Sequence, residues 1–447
     1  MHARLTAWLC LVCAACLLLS GCSALSFDVR SQLVPPTATG DELKIQEALE
    51  RYLTQEYGAA QAEQYKLKYP MEGRYRTAFI VEDVDADGDD EALVFYTVDA
   101  DTEYIHLNYL RKLGSDWESM GDWESESTHV LEVRFGDMNG DGKQELLVGF
   151  ELSSTRDSQL SLFELTRLSM TPRGSYLYTD FYLGNVSSDD WQDLLLLRVS
   201  STEPRVTARL FSLREETTEL GLVALDGYIR SFGKVCFTTM SDAVAGVYLD
   251  GFKDNGGMVT ELICWDGTTL TAPFYDEDDN MTTLTERGSG IEMADVDADG
   301  VTEWPQSEPI DPVPGALSSG TPRYLTRWCA WDVAAKEPHT RLYSVAVPED
   351  GYLFVADESW VGSLAASYDE ATHTLSLGRS QENGDIRTAA VIRAQSEPGD
   401  GSELTMDGRT FETVTLQSGQ TLEVWLDGTA GLGSELSEIL YRITVLP

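Results

Sequence analysis

Three segments of this 447-residue chain repeat one pattern of oxygen-bearing side chains. Asp83, Asp85, Asp87, Asp89 and Glu91 lie in VEDVDADGDDEALVFY, and Asp137, Asn139, Asp141, Lys143 and Glu145 in FGDMNGDGKQELLVGF. Asp295, Asp297, Asp299, Val301 and Glu303 lie in MADVDADGVTEWP. All three read DxDxDGxxE, with Asn allowed at the third position. Oxygens at alternate positions of a tight loop converge on one hard cation, position 7 adds its backbone carbonyl, and the glycine at position 6 permits the sharp turn. Calcium suits this set better than magnesium, which demands a stricter octahedron and keeps its waters. The competing reading is a set of acidic hairpin turns that hold no metal, since Asp-Gly is itself a turn signal. An acid at position 9 in all three copies argues against it.

The elements on either side of these loops read as strands: AFIV and ALVFY around the first, VRF and LLVGF around the second. An EF-hand would need flanking helices and a bidentate glutamate at position 12, where this chain has Val94, Val148 and Gln306. A cation loop between two strands instead resembles the FG-GAP or VCBS repeat of integrin-like β-propellers. That resemblance implies a loop joining the first two strands of each blade, and calcium as the ligand, over residues 70–335. Spacing extends the series. A degenerate copy starts at Asn185, with Ser187, Asp189 and Asp193 at ligand positions but Asp190 in place of the glycine. A silent copy is expected near residue 240, in CFTTMSDAVAGVYLDGF. A period of roughly 50 residues suits a four-stranded blade.

The remaining chain organises around this block. Residues 1–21 read as a lipoprotein signal peptide, because an apolar stretch too short to span comfortably ends in Leu19-Ser20-Gly21-Cys22, which resembles the bacterial lipobox. Cys22 is the expected lipidation site, and Cys10, Cys13 and Cys16 would leave with the signal. Residues 22–40 read as a tether and 41–69 as an N-terminal helical segment, with Leu43, Ile45, Ala48, Leu49 and Leu53 near helical spacing. Residues 340–447 read as a C-terminal β-rich α+β module, with a short helix capped by Ser434 before a last strand. The alternative, from Asp350-Gly351 and Asp400-Gly401 at the same period, is one continuous seven-bladed propeller. The expected fold class is therefore mainly β. Cys236 and Cys264 lie in strand-like runs, and whether they pair stays open.

Composition narrows function. Seventy-five acidic against 32 basic residues give a formal charge of −43, which phosphate backbones repel, so nucleic acid is excluded as a partner. Neither HExxH, GxSxG, GxGxxG nor a phosphate loop occurs. The five histidines (His2, His106, His129, His339, His373) have no metal spacing, and Asp276 to Asp279 read as a solvated loop. Trp117, Trp123, Trp191, Trp265 and Trp304 read as core, with sugar stacking the sharper reading. The expectation is a lipid-anchored calcium-binding propeller on the extracytoplasmic face of a bacterial membrane, not an enzyme, that binds a cell-surface protein or glycan. The alternatives are a polysaccharide-acting propeller enzyme and a structural envelope lipoprotein without a dedicated ligand.

Overall fold

The computed structural model describes residues 40–446 apart from 60–63, 100, 188–189, 242, 289, 315–322, 396–404 and 407–408. The expected signal peptide, Cys22 and the tether up to residue 39 lie outside the described residues. Helix α1 (Asp41–Tyr57) buries Ile45, Ala48, Leu49 and Leu53, while Leu43 at the same spacing stays exposed. It ends at Gly58, whose φ of 84° suits a residue without a side chain. Its apolar stripe covers Ala92, Val94, Tyr96 and Trp117 of the first sheet. Among the described residues no helix is long and apolar enough to cross a membrane.

The fold is mainly β, built of antiparallel sheets in propeller-like succession. The first sheet contains β1 (Tyr65–Lys68), β2 (Phe79–Glu82), β3 (Glu91–Val98), β4 (Asp101–Leu113), β5 (Asp116–Gly136), β6 (Glu145–Leu152), β7 (Ser158–Thr166) and β8 (Ser169–Tyr178). Strand β5 pairs with β4 through its first half and with β6 through its second, so one 21-residue strand closes a first group, β1 to β5, and opens another, β5 to β8. Two four-stranded sheets follow. One holds β9 (Asp180–Gly184), β10 (Asp193–Val199), β11 (Val206–Leu213) and β12 (Thr217–Ala224). The other holds β13 (Ile229–Ser241), β14 (Val244–Lys253), β15 (Met258–Trp265) and β16 (Leu270–Thr271).

Each group packs its face on the next. Leu147 and Leu162 meet Leu194 and Phe211 in one core cluster, Leu195 and Leu210 meet Leu249 and Ile263 in another, and Tyr248 and Leu262 meet Trp304 and Cys329 in a third. A strand covered on both faces has no solvent side, so β3 and β15 are buried at every residue and show no polar alternation. Cys236, Cys264 and Cys329 lie in or beside these layers as free thiols.

The last part begins with β17 (Trp304–Pro309), β18 (Tyr324–Asp332), β19 (Glu337–Val347) and β20 (Tyr352–Ala356), to which the final strand β28 (Ile443–Val445) returns. The β18–β19 hairpin runs across residues 335–340. A second five-stranded sheet, of β21 (Leu364–Asp369), β22 (Thr374–Ser380), β23 (Ile386–Ala394), β26 (Glu412–Thr415) and β27 (Thr421–Leu426), shares one core with β19, β20 and helix α2 (Leu436–Tyr441). A short ribbon, β24 (Thr405–Met406) with β25 (Arg409–Thr410), precedes β26. Glu435 rather than Ser434 is the residue before α2, and the Ser434 N–H instead donates to the Glu438 carboxylate.

Candidate metal centres

The first loop joins β2 to β3, the second β5 to β6, and the degenerate copy β9 to β10. The third loop is held between Ala294 and Glu303, which form a two-way backbone bridge immediately before β17. The silent copy falls where β13 pairs with β14, with Ser241 opposite Val244.

One hydrogen-bond scheme recurs in all three acidic loops. The position-6 glycine N–H donates to the position-1 carboxylate: Gly88 to Asp83, Gly142 to Asp137 and Gly300 to Asp295, at 3.1, 3.0 and 2.9 Å. The position-7 N–H of Asp89, Lys143 and Val301 donates to Asp87, Asp141 and Asp299. The position-2 N–H of Val84, Met138 and Val296 donates to Oε2 of Glu91, Glu145 and Glu303. Asp137 and Asp295 accept on both oxygens, the second from the Gly140 and Asp299 N–H, while each glutamate takes its backbone bond on Oε2 alone. The backbone bends twice to achieve this. Position 6 has φ of 89°, 81° and 85°, and position 4 is also left-handed, at 56° for Ala86, 75° for Gly140 and 60° for Ala298.

Carboxylate oxygens of Asp83, Asp85 and Glu91 lie within 4.8 Å of one another, and so do those of Asp295, Asp297 and Asp299. Glu91 and Glu303 are buried at 2% and 0% exposure, and Oε1 of each has no hydrogen-bond partner. A buried carboxylate oxygen without a donor costs several kcal/mol in principle, so it marks a place where a cation fits. A guanidinium stands beside each group. Arg111 of β4 donates to Asp87 at 2.7 Å, with its Nε 3.7 Å from the free oxygen of Glu91. Arg341 of β19 bonds Asp297 and Asp299, with its Nε 3.8 Å from the free oxygen of Glu303.

The second loop differs. Asn139 accepts from the Asp141 N–H through Oδ1, which aims its Nδ2 at Glu145 Oε1, 3.0 Å away. The oxygen that is free in the other two loops is therefore satisfied from within, and Asp137, Asp141 and Glu145 form no three-carboxylate group. In the degenerate copy, Ser187 and the Val186 N–H take up both oxygens of Asp193, and Asp189 lies outside the described residues. Burial, reinforced by the neighbouring aspartates, pushes Glu91, Glu145 and Glu303 up to about 7 against the backbone N–H bonds that favour ionisation.

Position 8 carries a signal that sequence reasoning passed over. The Gln144 N–H donates to the Val84 carbonyl of the preceding loop, and the Gln192 N–H donates to that of Asp137. Thr302, also at position 8, places its hydroxyl 2.9 Å from the Cys236 thiol of β13. The second and degenerate loops thus each seat on the loop before, and the third loop on a strand of the preceding sheet. The tryptophans divide: Trp117 and Trp304 are buried and closed to any ligand, whereas Trp191 is half-buried with the Arg214 guanidinium 4.4 Å from its ring centre.

No family model matches the chain, and no curated protein matches it. Among solved structures it is similar to a Bacillus licheniformis rhamnogalacturonan lyase of family PL11, at 10% identity over 81% of this chain and 91% of that one, with a TM-score of 0.29. It is also similar to a Bombyx mori GH32 β-fructofuranosidase, at 14% identity over 62% of each chain and a TM-score of 0.25. The β-propeller domain of the trilobed protease of Pyrococcus furiosus matches at 9% identity, over 74% of this chain and 91% of that domain, with a TM-score of 0.25. These neighbours correct one expectation. Enzymes that act on carbohydrate stand among them, so the reading of the chain as a non-enzyme is withdrawn. At such TM-scores the likeness assigns no activity.

Proposed function

We infer that this chain is a calcium-braced, propeller-like protein that works on polysaccharide. The observation that carries the calcium reading is the pair of gathered carboxylate groups, Asp83/Asp85/Glu91 and Asp295/Asp297/Asp299, each beside a buried glutamate oxygen without a partner. Calcium entering these loops neutralises crowded carboxylates and ties the strands on either side together. Calcium sites of extracellular modules bind with dissociation constants of about 10⁻⁴ to 10⁻³ M, which at ~1 mM calcium amounts to roughly 0.4 to 1.4 kcal/mol for each filled site. Calorimetric titration and melting curves with calcium and with chelator test this. Equal melting in both, with no heat of binding, reduces the loops to acidic turns.

The lipobox at Leu19 to Cys22 adds an anchor. A diacylglyceryl group on Cys22 would hold the folded part at the extracytoplasmic face, within reach of envelope or environmental glycans. Palmitate labelling that vanishes in Cys22→Ala is the expected result, and an unlabelled native protein overturns it. A panel of glycans read both for binding and for newly released reducing ends decides whether the chain holds polymer or also cleaves it.

A further inference from the structure

Beside the acidic loops, where the second half of β5 and strand β9 run next to each other, lies a cleft of about 400 Å³. It lies outside the metal groups, and its rings rest by their inner faces on the core clusters behind them. Three half-buried aromatic rings line it: Tyr75, Phe135 and Tyr182. Tyr75 meets Phe135 edge to face at 5.4 Å between ring centres. Across from them Arg134 is fixed on Glu132 by two hydrogen bonds of 2.7 and 3.0 Å, while its Nη1 donates to the Phe181 carbonyl. The guanidinium is thus held flat, 5.7 Å from the Tyr182 ring centre, as a plate whose edge offers both N–H donors and carboxylate acceptors.

The remaining wall comes from the loops. Gln144 and Gln192, the two position-8 glutamines, both line the cleft, and neither amide has a side-chain hydrogen bond among the described residues. Gln192 is pressed against the backbone of β5. A Cβ on Gly136 would stand 2.5 Å from Gln192 Oε1, so glycine there is what lets the amide occupy its place. Two unpartnered amides, a fixed Arg–carboxylate plate and three ring faces form a chemically specific lining. Amides and guanidinium–carboxylate pairs match the vicinal hydroxyls of a sugar, and aromatic rings cover its C–H face.

The charges decide which sugar. Arg134 is neutralised by Glu132, and Arg74 at the rim faces Glu82 at 3.4 Å. A uronate or sulfate would find no uncompensated cation here, and the chain as a whole carries −43. We propose that this cleft is a binding site for a neutral, hydroxyl-rich saccharide, positioned by the glutamines of two successive loops. It rests on the glycan reading above. Because Gln144 directly precedes Glu145, and its N–H is held by the first loop at Val84, calcium in that first loop stiffens this wall and tightens saccharide binding.

The test uses native protein in millimolar calcium, titrated by saturation-transfer NMR and calorimetry with β-1,4-glucan, β-1,4-mannan, α-1,5-arabinan and β-1,4-galactan hexasaccharides, beside oligogalacturonate. At least one neutral member should bind. Gln144→Ala/Gln192→Ala should weaken it at least tenfold at an unchanged melting temperature, and Gly136→Ala, whose Cβ presses on both Gln192 and Leu183 of the lining, should weaken it in the same direction. Chelation should weaken it several-fold. Binding of oligogalacturonate alone, or no binding to any member of the set, overturns the proposal. If neutral glycan binds and ignores the glutamine variants, the glycan reading stands and this cleft is excluded. Calcium heat without any saccharide binding leaves the metal centres and removes the cleft.

Discussion

Asp85 is only 9% exposed, and its carboxylate shares a small space with those of Asp83 and Glu91. Without a cation these charges repel each other in a medium less polar than water. Asp85→Ala should therefore cost roughly 0.4 to 1.4 kcal/mol with ~1 mM calcium present and much less in chelator, where it relieves repulsion. Melting curves of wild type and variant under both conditions read the difference directly. The residue after it makes a separate point. Ala86 sits at φ 56°, a conformation disfavoured for a residue with a Cβ, while the second loop has Gly140 at the same position. Ala86→Gly should raise stability in chelator by about 0.5 to 1 kcal/mol, and a lower melting temperature would show that the turn is not strained.

At the scale of a loop, one amide separates the second copy from the first and third. Asn139 donates to Glu145 and so fills the role a cation would have. Asn139→Asp exchanges that donor for a second charge and leaves Glu145 Oε1 as bare as Glu91 Oε1. The variant should gain a calcium-dependent rise in melting temperature worth roughly 1 kcal/mol and lose stability in chelator through Asp–Glu repulsion. An unchanged response to calcium would mean that the native second loop already binds as the others do. The neighbouring strands explain why such a loop can be exchanged so simply. Strands such as β3 gain their stability by burial on both faces, so the loop has only to turn the chain and seat on the loop before it.

At the scale of the molecule, a buried charge network lies between the sheet of β13–β16 and the segment leading to the third loop. Glu261 is fully buried, accepting from the Asp226 N–H at 2.8 Å and the Thr282 hydroxyl at 2.8 Å, while Lys253 pairs with Asp226 at 2.9 Å. Alongside, Arg287 bonds Asp250 and Thr260. Burial pushes Glu261 up to about 7, against the hydrogen bonds that favour its charged form. The folded state therefore keeps this proton at pH values where the unfolded chain releases it. Its contribution is fully present below pH 4.5 and lost as pH rises towards 7, a fall of about 3 kcal/mol. Glu261→Gln keeps an oxygen for both donors and should flatten that part of the stability–pH curve, measured by denaturant melts between pH 4.5 and 7.5 in chelator. A wild-type curve that rises through this interval would show that the carboxylate is charged in the fold.

The chain's local turn–strand pattern was readable from residues alone because its determinants are local. The alternation of oxygen ligands, the position-6 glycines and the apolar runs on both sides act within nine or ten residues, and they set the turn–strand pattern that recurs from Asp83 to Glu303. The helix over Asp41–Tyr57 was equally accessible, because its buried residues recur at its own period. What one strand does for two partners was not: nothing in the spacing of β5 tells that its halves pair with different neighbours, since register is a property of the pairing. The boundary near 340 is blurred for the same reason, by a hairpin and by β28 returning to β20 across almost ninety residues. Only tertiary structure set Arg111 and Arg341 beside the loops, left Oε1 of Glu91 and Glu303 bare while Asn139 covered that of Glu145, and brought Gln144 and Gln192 into one cleft. Those relations depend on which face of one sheet meets the next, a choice made by the packing of whole layers rather than by any stretch of sequence.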